Sequence, residues 1–156
     1  MKVAISCDHA AFRLKEAVRA HLEERGIEYH DFGIYAAGEK RDYPYASLYA
    51  CRAVQSGECG LAIVMCGTGV GVSMAANKLA GIRAACCSDY FSAKYTRAHN
   101  DANVLCMGER VIGEGLAMEL VDVFLDTPFE GGRHARRVGQ IAALERGELV
   151  PETETE

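Results

Sequence analysis

Short strand-like segments alternate along the chain with stretches in which apolar residues return every three or four positions. The strand-like segments fall at 2–6, 27–32, 61–65, 83–87 and 103–107. Between the first two, segment 11–25 carries Phe12, Leu14, Ala17, Val18 and Leu22 at helical spacing and stops at Gly26. A polar loop, 33–42, leads to Pro44, which suits the first turn of a helix running to about Gln55. A helix follows the glycine-rich turn after residue 65, and others are predicted over 89–98, 115–125 and 134–146. Strands and helices that alternate at this spacing form βαβ units with right-handed crossovers, hence a parallel sheet covered on both faces. The expected fold is α/β: a three-layer Rossmann-like αβα sandwich with a five-stranded parallel sheet and an extra C-terminal helix. Without an internal repeat or a linker, residues 1–149 read as a single domain. The acidic tail 150–156 has no apolar residue after Val150 and is expected to be disordered.

Composition narrows the function. A chain of 156 residues with 49% apolar and 25% charged residues matches one soluble globular domain. Its net charge of −5, with no lysine-rich run, argues against nucleic acid as a partner. Its apolar stretches fall short of the ~20 residues of a membrane helix. The chain enters a strand at once, so no secretory leader is expected and the cytoplasm is the expected compartment. The seven cysteines, Cys7, Cys51, Cys59, Cys66, Cys86, Cys87 and Cys106, are odd in number and include no C-x-x-C pair. That spacing fits neither a zinc site nor a disulfide framework, so six of them read as small buried hydrophobes of a reduced protein. Cys66 stands apart. No metal and no cofactor is expected.

Cys66 opens the turn Cys66-Gly67-Thr68-Gly69-Val70-Gly71, between the apolar run 61–65 and a helix. Glycines allow close approach of backbone to a ligand, and a helix start offers free N–H groups to an anion. A thiol at the lip of such a turn suggests chemistry on a phosphorylated or oxyanion-forming small molecule. A dinucleotide fingerprint is the rival reading, since Asp89 lies 20 residues after Gly69, where a ribose-binding acid would stand. The pattern here is G-x-G-x-G, it follows the third strand, and it leaves the thiol without a purpose. A Walker loop fails because no glycine-lysine-serine or glycine-lysine-threonine triplet follows.

In a parallel sheet, ligands bind outside the carboxyl ends of the strands. Cys7-Asp8-His9, Cys66-Gly67-Thr68 and Gly108-Glu109-Arg110 follow the first, third and fifth strands and could share one pocket. His99-Asn100-Asp101 belongs at the other end of the fifth strand, or in a loop reaching back; periodicity leaves both open. Near the C-terminus, Arg133 and Arg137 stand one helical turn apart in a locally basic run that also holds His134 and Arg136. Two guanidinium groups so spaced can clamp a phosphate, each charged hydrogen bond contributing about 1.5–3 kcal/mol. Equally, such a run can be a solvated helix face. Arg136 points elsewhere on the wheel.

Six stretches together resemble the family of ribose-5-phosphate isomerase B and galactose-6-phosphate isomerase. They are Cys7-Asp8-His9-Ala10, Asp42-Tyr43-Pro44, Cys66 through Lys78, His99 through Leu105, Gly108 through Gly113, and Phe129-Glu130-Gly131-Gly132-Arg133-His134. They occur in family order and span nearly all of the chain except the acidic tail. The resemblance implies an aldose–ketose isomerase that moves a proton between C1 and C2 of a sugar phosphate through a cis-enediolate. It implies Cys66 as the proton-transferring base, Thr68 and the backbone of Gly67, Gly69, Val70 and Gly71 around the enediolate oxygen, and His99 for ring opening. A free thiol titrates near ~8.5 and a helix N-terminus can lower that value. Asn100 and Asp8 match contacts to sugar hydroxyls, Tyr43 lines the same pocket, and His9, Arg110, Arg133 and Arg137 match phosphate contacts. It implies, too, a homodimer with active sites shared between subunits, or a pair of such dimers. One branch of the family carries a carboxylate a turn into the helix in place of the cysteine; Val72-Ser73 here offers no acid.

Two local readings compete with these roles: Asp8 as a cap for the first helix, and His9 as a packed strand-end residue. Ribose 5-phosphate is the expected substrate. Allose or galactose 6-phosphate is the nearest alternative, and a phosphosugar-binding module without turnover a further one. A thiol redox protein would need a second cysteine at a workable spacing, which the sequence does not supply.

Overall fold

A computed structural model describes residues 1–148; the acidic tail expected at 150–156 lies outside the described residues. The elements follow the order β1 (Val3–Cys7), α1 (Phe12–Glu24), β2 (Tyr29–Asp31), α2 (Tyr43–Gln55), β3 (Leu61–Cys66) and α3 (Val70–Ala76). Then come β4 (Ala84–Cys86), α4 (Tyr90–Asn100), β5 (Val104–Gly108), α5 (Glu114–Asp126) and α6 (Arg133–Glu145). All strand pairs are parallel, and the sheet order is β2-β1-β3-β5-β4. The expected Rossmann-like αβα sandwich with an additional C-terminal helix is the observed fold.

Strand periodicity divides the core in two. Val3, Ile5, Leu61, Ile63, Met65, Leu105 and Met107 project to one face, against Leu14, Val18 and Leu22 of α1 and Leu120, Val121 and Phe124 of α5. Ala4, Ala62, Val64, Val104 and Cys106 project to the other, against Ala46, Ala50, Cys51 and Ala53 of α2 and Val72 and Ala76 of α3. Large side chains fill the first face, each contributing about 1.5–3 kcal/mol on burial. Small ones on the second let α2 and α3 lie close to the sheet. Cys7, Cys51, Cys59, Cys87 and Cys106 are buried within these two cores. Cys86 departs from the sequence reading: it lies on the edge strand β4 and is exposed. At the opposite edge, Lys15 is fully buried and its ammonium reaches Asp31 at 2.5 Å, pinning β2 to α1.

Two details position the candidate chemistry. The chain leaves β1 for β2 on one side and returns with β3 on the other, so the sheet reverses its winding between β1 and β3. That reversal opens a crevice at their carboxyl ends. And α4 runs on to Asn100, two residues past the expected end. Asp101 caps it in a left-handed conformation (φ 47°), its carboxylate held by Arg83 and Arg97 at 2.9 and 2.8 Å.

Candidate active site

Cys66 is the last residue of β3, at the crevice, and only 4% exposed. Its Sγ accepts the N–H of Gly69 at 3.2 Å. Thr68 is exposed, and its hydroxyl oxygen accepts the N–H of Val70 at 3.3 Å. Two N–H groups of the turn are thus directed at the turn's own thiol and hydroxyl. The turn is folded tightly over its neighbours. Gly69 has φ 78°, and a Cβ there would meet Cys86 Sγ and the Met107 carbonyl carbon at 2.9 Å. Gly108, paired with Cys66, leaves room for the Thr68 backbone, which a Cβ would approach to 2.5 Å. These two glycines are accounted for by packing of the turn against β4 and β5. Tyr43, at the start of α2, lays its ring beside Gly71, and Ser47 bonds the Val72 carbonyl at 2.8 Å.

Asp8 and His9 follow β1. Asp8 is 6% exposed, and its Oδ1 accepts the N–H of Ala10 at 2.8 Å. Burial pushes its carboxyl up; the Ala10 N–H, His9 and Arg110 act against that shift. The capping role lies elsewhere: Glu109, from beyond β5, accepts the N–H of Leu14 at 2.9 Å. His9 is exposed rather than packed, with Nδ1 2.9 Å from the Arg41 carbonyl oxygen. A carbonyl can only accept, so Nδ1 carries the proton and Nε2 remains for a ligand. Arg110 donates its N–H to the Gly67 carbonyl at 3.0 Å, and its guanidinium lies against Gly67. The residues Asp8, His9, Tyr43, Cys66, Gly67, Thr68, Gly69, Val70, Gly71 and Arg110 therefore share the carboxyl end of the sheet.

His99, Asn100, Arg133 and Arg137 do not join them. His99 and Asn100 occupy the last turn of α4, which precedes β5, whereas Cys66 pairs with Gly108 at the end of β5. Four steps of ~3.3 Å along β5 separate the two edges by about 13 Å, beyond the reach of an imidazole. The second group is a cluster in its own right. The N–H of Glu130 bonds the Ala98 carbonyl at 3.0 Å and brings the start of α6 onto the end of α4. There His134 stacks on His99, ring centroids 4.0 Å apart and planes 5° from parallel. Arg133 and Arg137 occupy the first and second turns of α6; both are exposed, and neither forms an ion pair among the described residues. The sequence reading missed Tyr95, Glu130 and His134 around His99. The four-residue spacing of Glu130 and His134 was the signal available, inside the stretch 129–134 that carries part of the family resemblance.

Fold and clusters define the class: a Rossmann-like α/β protein with a thiol at its switch point and exposed arginines on the first turns of its last helix. Comparison with known proteins agrees. A model of the family described as Ribose/Galactose Isomerase matches residues 3–141. The chain is 50% identical over 145 residues to ribose-5-phosphate isomerase B of Escherichia coli K12, covering 93% of this chain and 97% of that protein. It is 38% identical to D-erythrulose-4-phosphate isomerase of Pectobacterium atrosepticum, covering 95% of this chain and 97% of that one. The structure of Clostridium thermocellum ribose-5-phosphate isomerase B superposes with a TM-score of 0.92 at 49% identity, over 94% of this chain and 99% of that one. The protein belongs to the ribose/galactose isomerase family.

Proposed function

We propose that the protein is a single-domain isomerase interconverting ribose 5-phosphate and ribulose 5-phosphate. The observation that carries this reading is the Cys66 thiol at the switch point, oriented by the Gly69 N–H, with Asp8 and Arg110 at the same end of the sheet. In the open-chain aldose, the Cys66 thiolate takes the proton from C2. The electron pair moves into a C1–C2 double bond and the carbonyl oxygen becomes an enediolate oxygen. Backbone N–H groups of the glycine turn and the Thr68 hydroxyl stabilise that charge. Return of the proton to C1, and transfer of a hydroxyl proton from O2 to O1, gives the ketose. His99 opens the furanose ring, Asn100 and Asp8 bind hydroxyls, and His9 with Arg110, Arg133 and Arg137 holds the phosphate.

The roughly 13 Å between the two clusters supports a site shared by two subunits, with His99, Asn100, Arg133 and Arg137 supplied by the partner. Exposed apolar residues support the same assembly. Val70 and Met74 of α3 and Tyr90 and Phe91 of α4 are exposed, and α6 buries only His134 while exposing Ile141 and Leu144. No helix among the described residues is long and apolar enough to cross a membrane.

Solvent deuterium incorporation from ribose 5-phosphate tests the reading. Wild-type protein should label the sugar at C1 or C2, and Cys66→Ala should lose at least ~100-fold in rate. A Cys66→Ala protein as fast as wild type removes Cys66 from the mechanism. The resemblance to a relative named for erythrulose 4-phosphate, and a family named for both ribose and galactose, favour a second reading with a different carbon chain. Relative kcat/KM for four-, five- and six-carbon phosphates decides between them.

A further inference from the structure

We propose that Glu130 and His134 are positioning residues that hold the His99 imidazole in the orientation, and beside the carboxylate, that ring opening requires. The inference rests on the assignment of His99 as the ring-opening group.

The orientation comes from a column of rings. Phe91, Tyr95 and His99 stand four residues apart on α4, with centroids 4.4 and 4.7 Å apart, and His134 of α6 completes the column at 4.0 Å. His99 is therefore stacked on a buried imidazole and contacted by a tyrosine ring tilted 49° to it. Its Nε2 edge meets Glu130. The same carboxylate oxygen lies 3.6 Å from His99 Nε2 and 3.7 Å from His134 Nε2. Those distances are charge contacts, longer than hydrogen bonds, and they are nearly equal, so distance alone favours neither imidazole.

Surroundings make the choice. Two imidazolium rings stacked this closely repel, and a single carboxylate offsets one of them. His134 is buried, and the Nε of Arg133 lies 3.4 Å from its Nε2. Loss of solvation, His99, Arg133 and Arg137 all push its pKa down, with Glu130 opposing. His99 is about one-third exposed, at 34%. The groups facing it are Tyr95 on its own helix, Glu130 from the turn, and His134 on α6, with Arg133 and Arg137 behind; Lys94 lies over the Tyr95 ring. His134 is thus the ring on which a positive charge is disfavoured, and the Glu130 carboxylate faces the more exposed His99 edge. Ring opening of the furanose breaks the C1–O4 bond, adds a proton to O4 and removes one from the C1 hydroxyl. His99 can deliver the first and recover the second, returning to its starting state. The ligand atoms of His99, Glu130 and His134 lie within 4.8 Å of one another, but the lone pairs of the nearly parallel rings lie in separate planes and do not converge as tetrahedral coordination asks.

Substrate choice separates positioning from general damage. Ribulose 5-phosphate has its 5-oxygen esterified and no furanose to open, so proton exchange at its C1 needs Cys66 but not His99. Glu130→Gln should lower kcat on ribose 5-phosphate by roughly tenfold and move the limb of the kcat/KM profile that reports the imidazolium to lower pH. His134→Ala should lower kcat similarly, and His134→Phe, which keeps the stacked face, should restore most of it. Exchange of deuterium from C1-labelled ribulose 5-phosphate should stay within about twofold of wild type. If Glu130→Gln and His134→Ala keep the wild-type rate and pH profile while His99→Asn loses ring opening, the proposal is overturned and the role of His99 stands. Equal losses in turnover and exchange would assign Glu130 a merely structural role and overturn it as well. If His99→Asn turns over ribose 5-phosphate normally, the parent assignment fails instead.

Discussion

Cys66 differs from the other buried cysteines in what surrounds it more than in depth, for it is nearly as buried as they are. A backbone N–H points at its sulfur, and the rest of its setting is a glycine turn folded over the end of β5. Burial pushes the thiol of Cys7 up to about 11 and those of Cys51 and Cys87 to about 12, and raises that of Cys106 well above its ordinary value. These four are protonated near neutrality and inert. Native alkylation with iodoacetamide at pH 8 should spare them until denaturant is added, as read by peptide mass spectrometry; rapid native labelling of Cys51 or Cys106 would contradict that. Gly108 permits the turn to sit where it does. Gly108→Ala forces a Cβ against the Thr68 backbone, which cannot swing away as a side chain can. A loss of about 1–3 kcal/mol in urea unfolding is expected, with reduced turnover because Thr68 is displaced. Unchanged stability would mean that the turn is free to move.

At the scale of elements, α4 carries the second half of the proposed site and is defined at both ends by aspartates. Asp89, placed by sequence spacing alone where a ribose-binding acid would stand, instead caps α4: its Oδ1 accepts the N–H of Ser92 at 2.8 Å. That bond to the backbone holds its carboxyl below the ordinary value of 3.8. A depressed carboxyl contributes stability above the unfolded-state pKa and loses it as pH falls through the folded one. Asp89→Ala should therefore lower Tm at pH 7, and the gap to wild type should close at pH values well below 3.8. A constant gap over that range would remove the cap as its cause. The other end was harder to read. The periodic pattern fades at Ala98, but Asp101 adopts a left-handed conformation and is held by Arg83 from the loop before β4. That contact spans 18 residues, so local spacing placed His99 and Asn100 only beyond the helix.

For the whole molecule, the proposed division of labour between subunits has a direct test. Cys66→Ala and His99→Asn should each be inactive alone. Mixed after dissociation and reassociation, they should form hybrid dimers with one intact site and recover about a quarter of wild-type activity. No recovery, with hybrids demonstrated by native mass spectrometry, would show that both residues must act within one chain.

Local pattern was enough for much of this protein. Strand and helix periods, the glycine turn and the thiol that opens it are written within a few neighbouring residues, because backbone propensity and the two-sided burial of a parallel strand act at that range. The motifs also carried the family. Strand order was not local. Only the insertion of β5 between β3 and β4 puts Gly108 beside Cys66 and sends the end of α4 to the far edge of the sheet. The tertiary structure alone separated His99 and the α6 arginines from Cys66. It also gave His99 its neighbours Glu130 and His134, since stacking and charge contacts between α4 and α6 depend on how helices dock rather than on spacing along the chain.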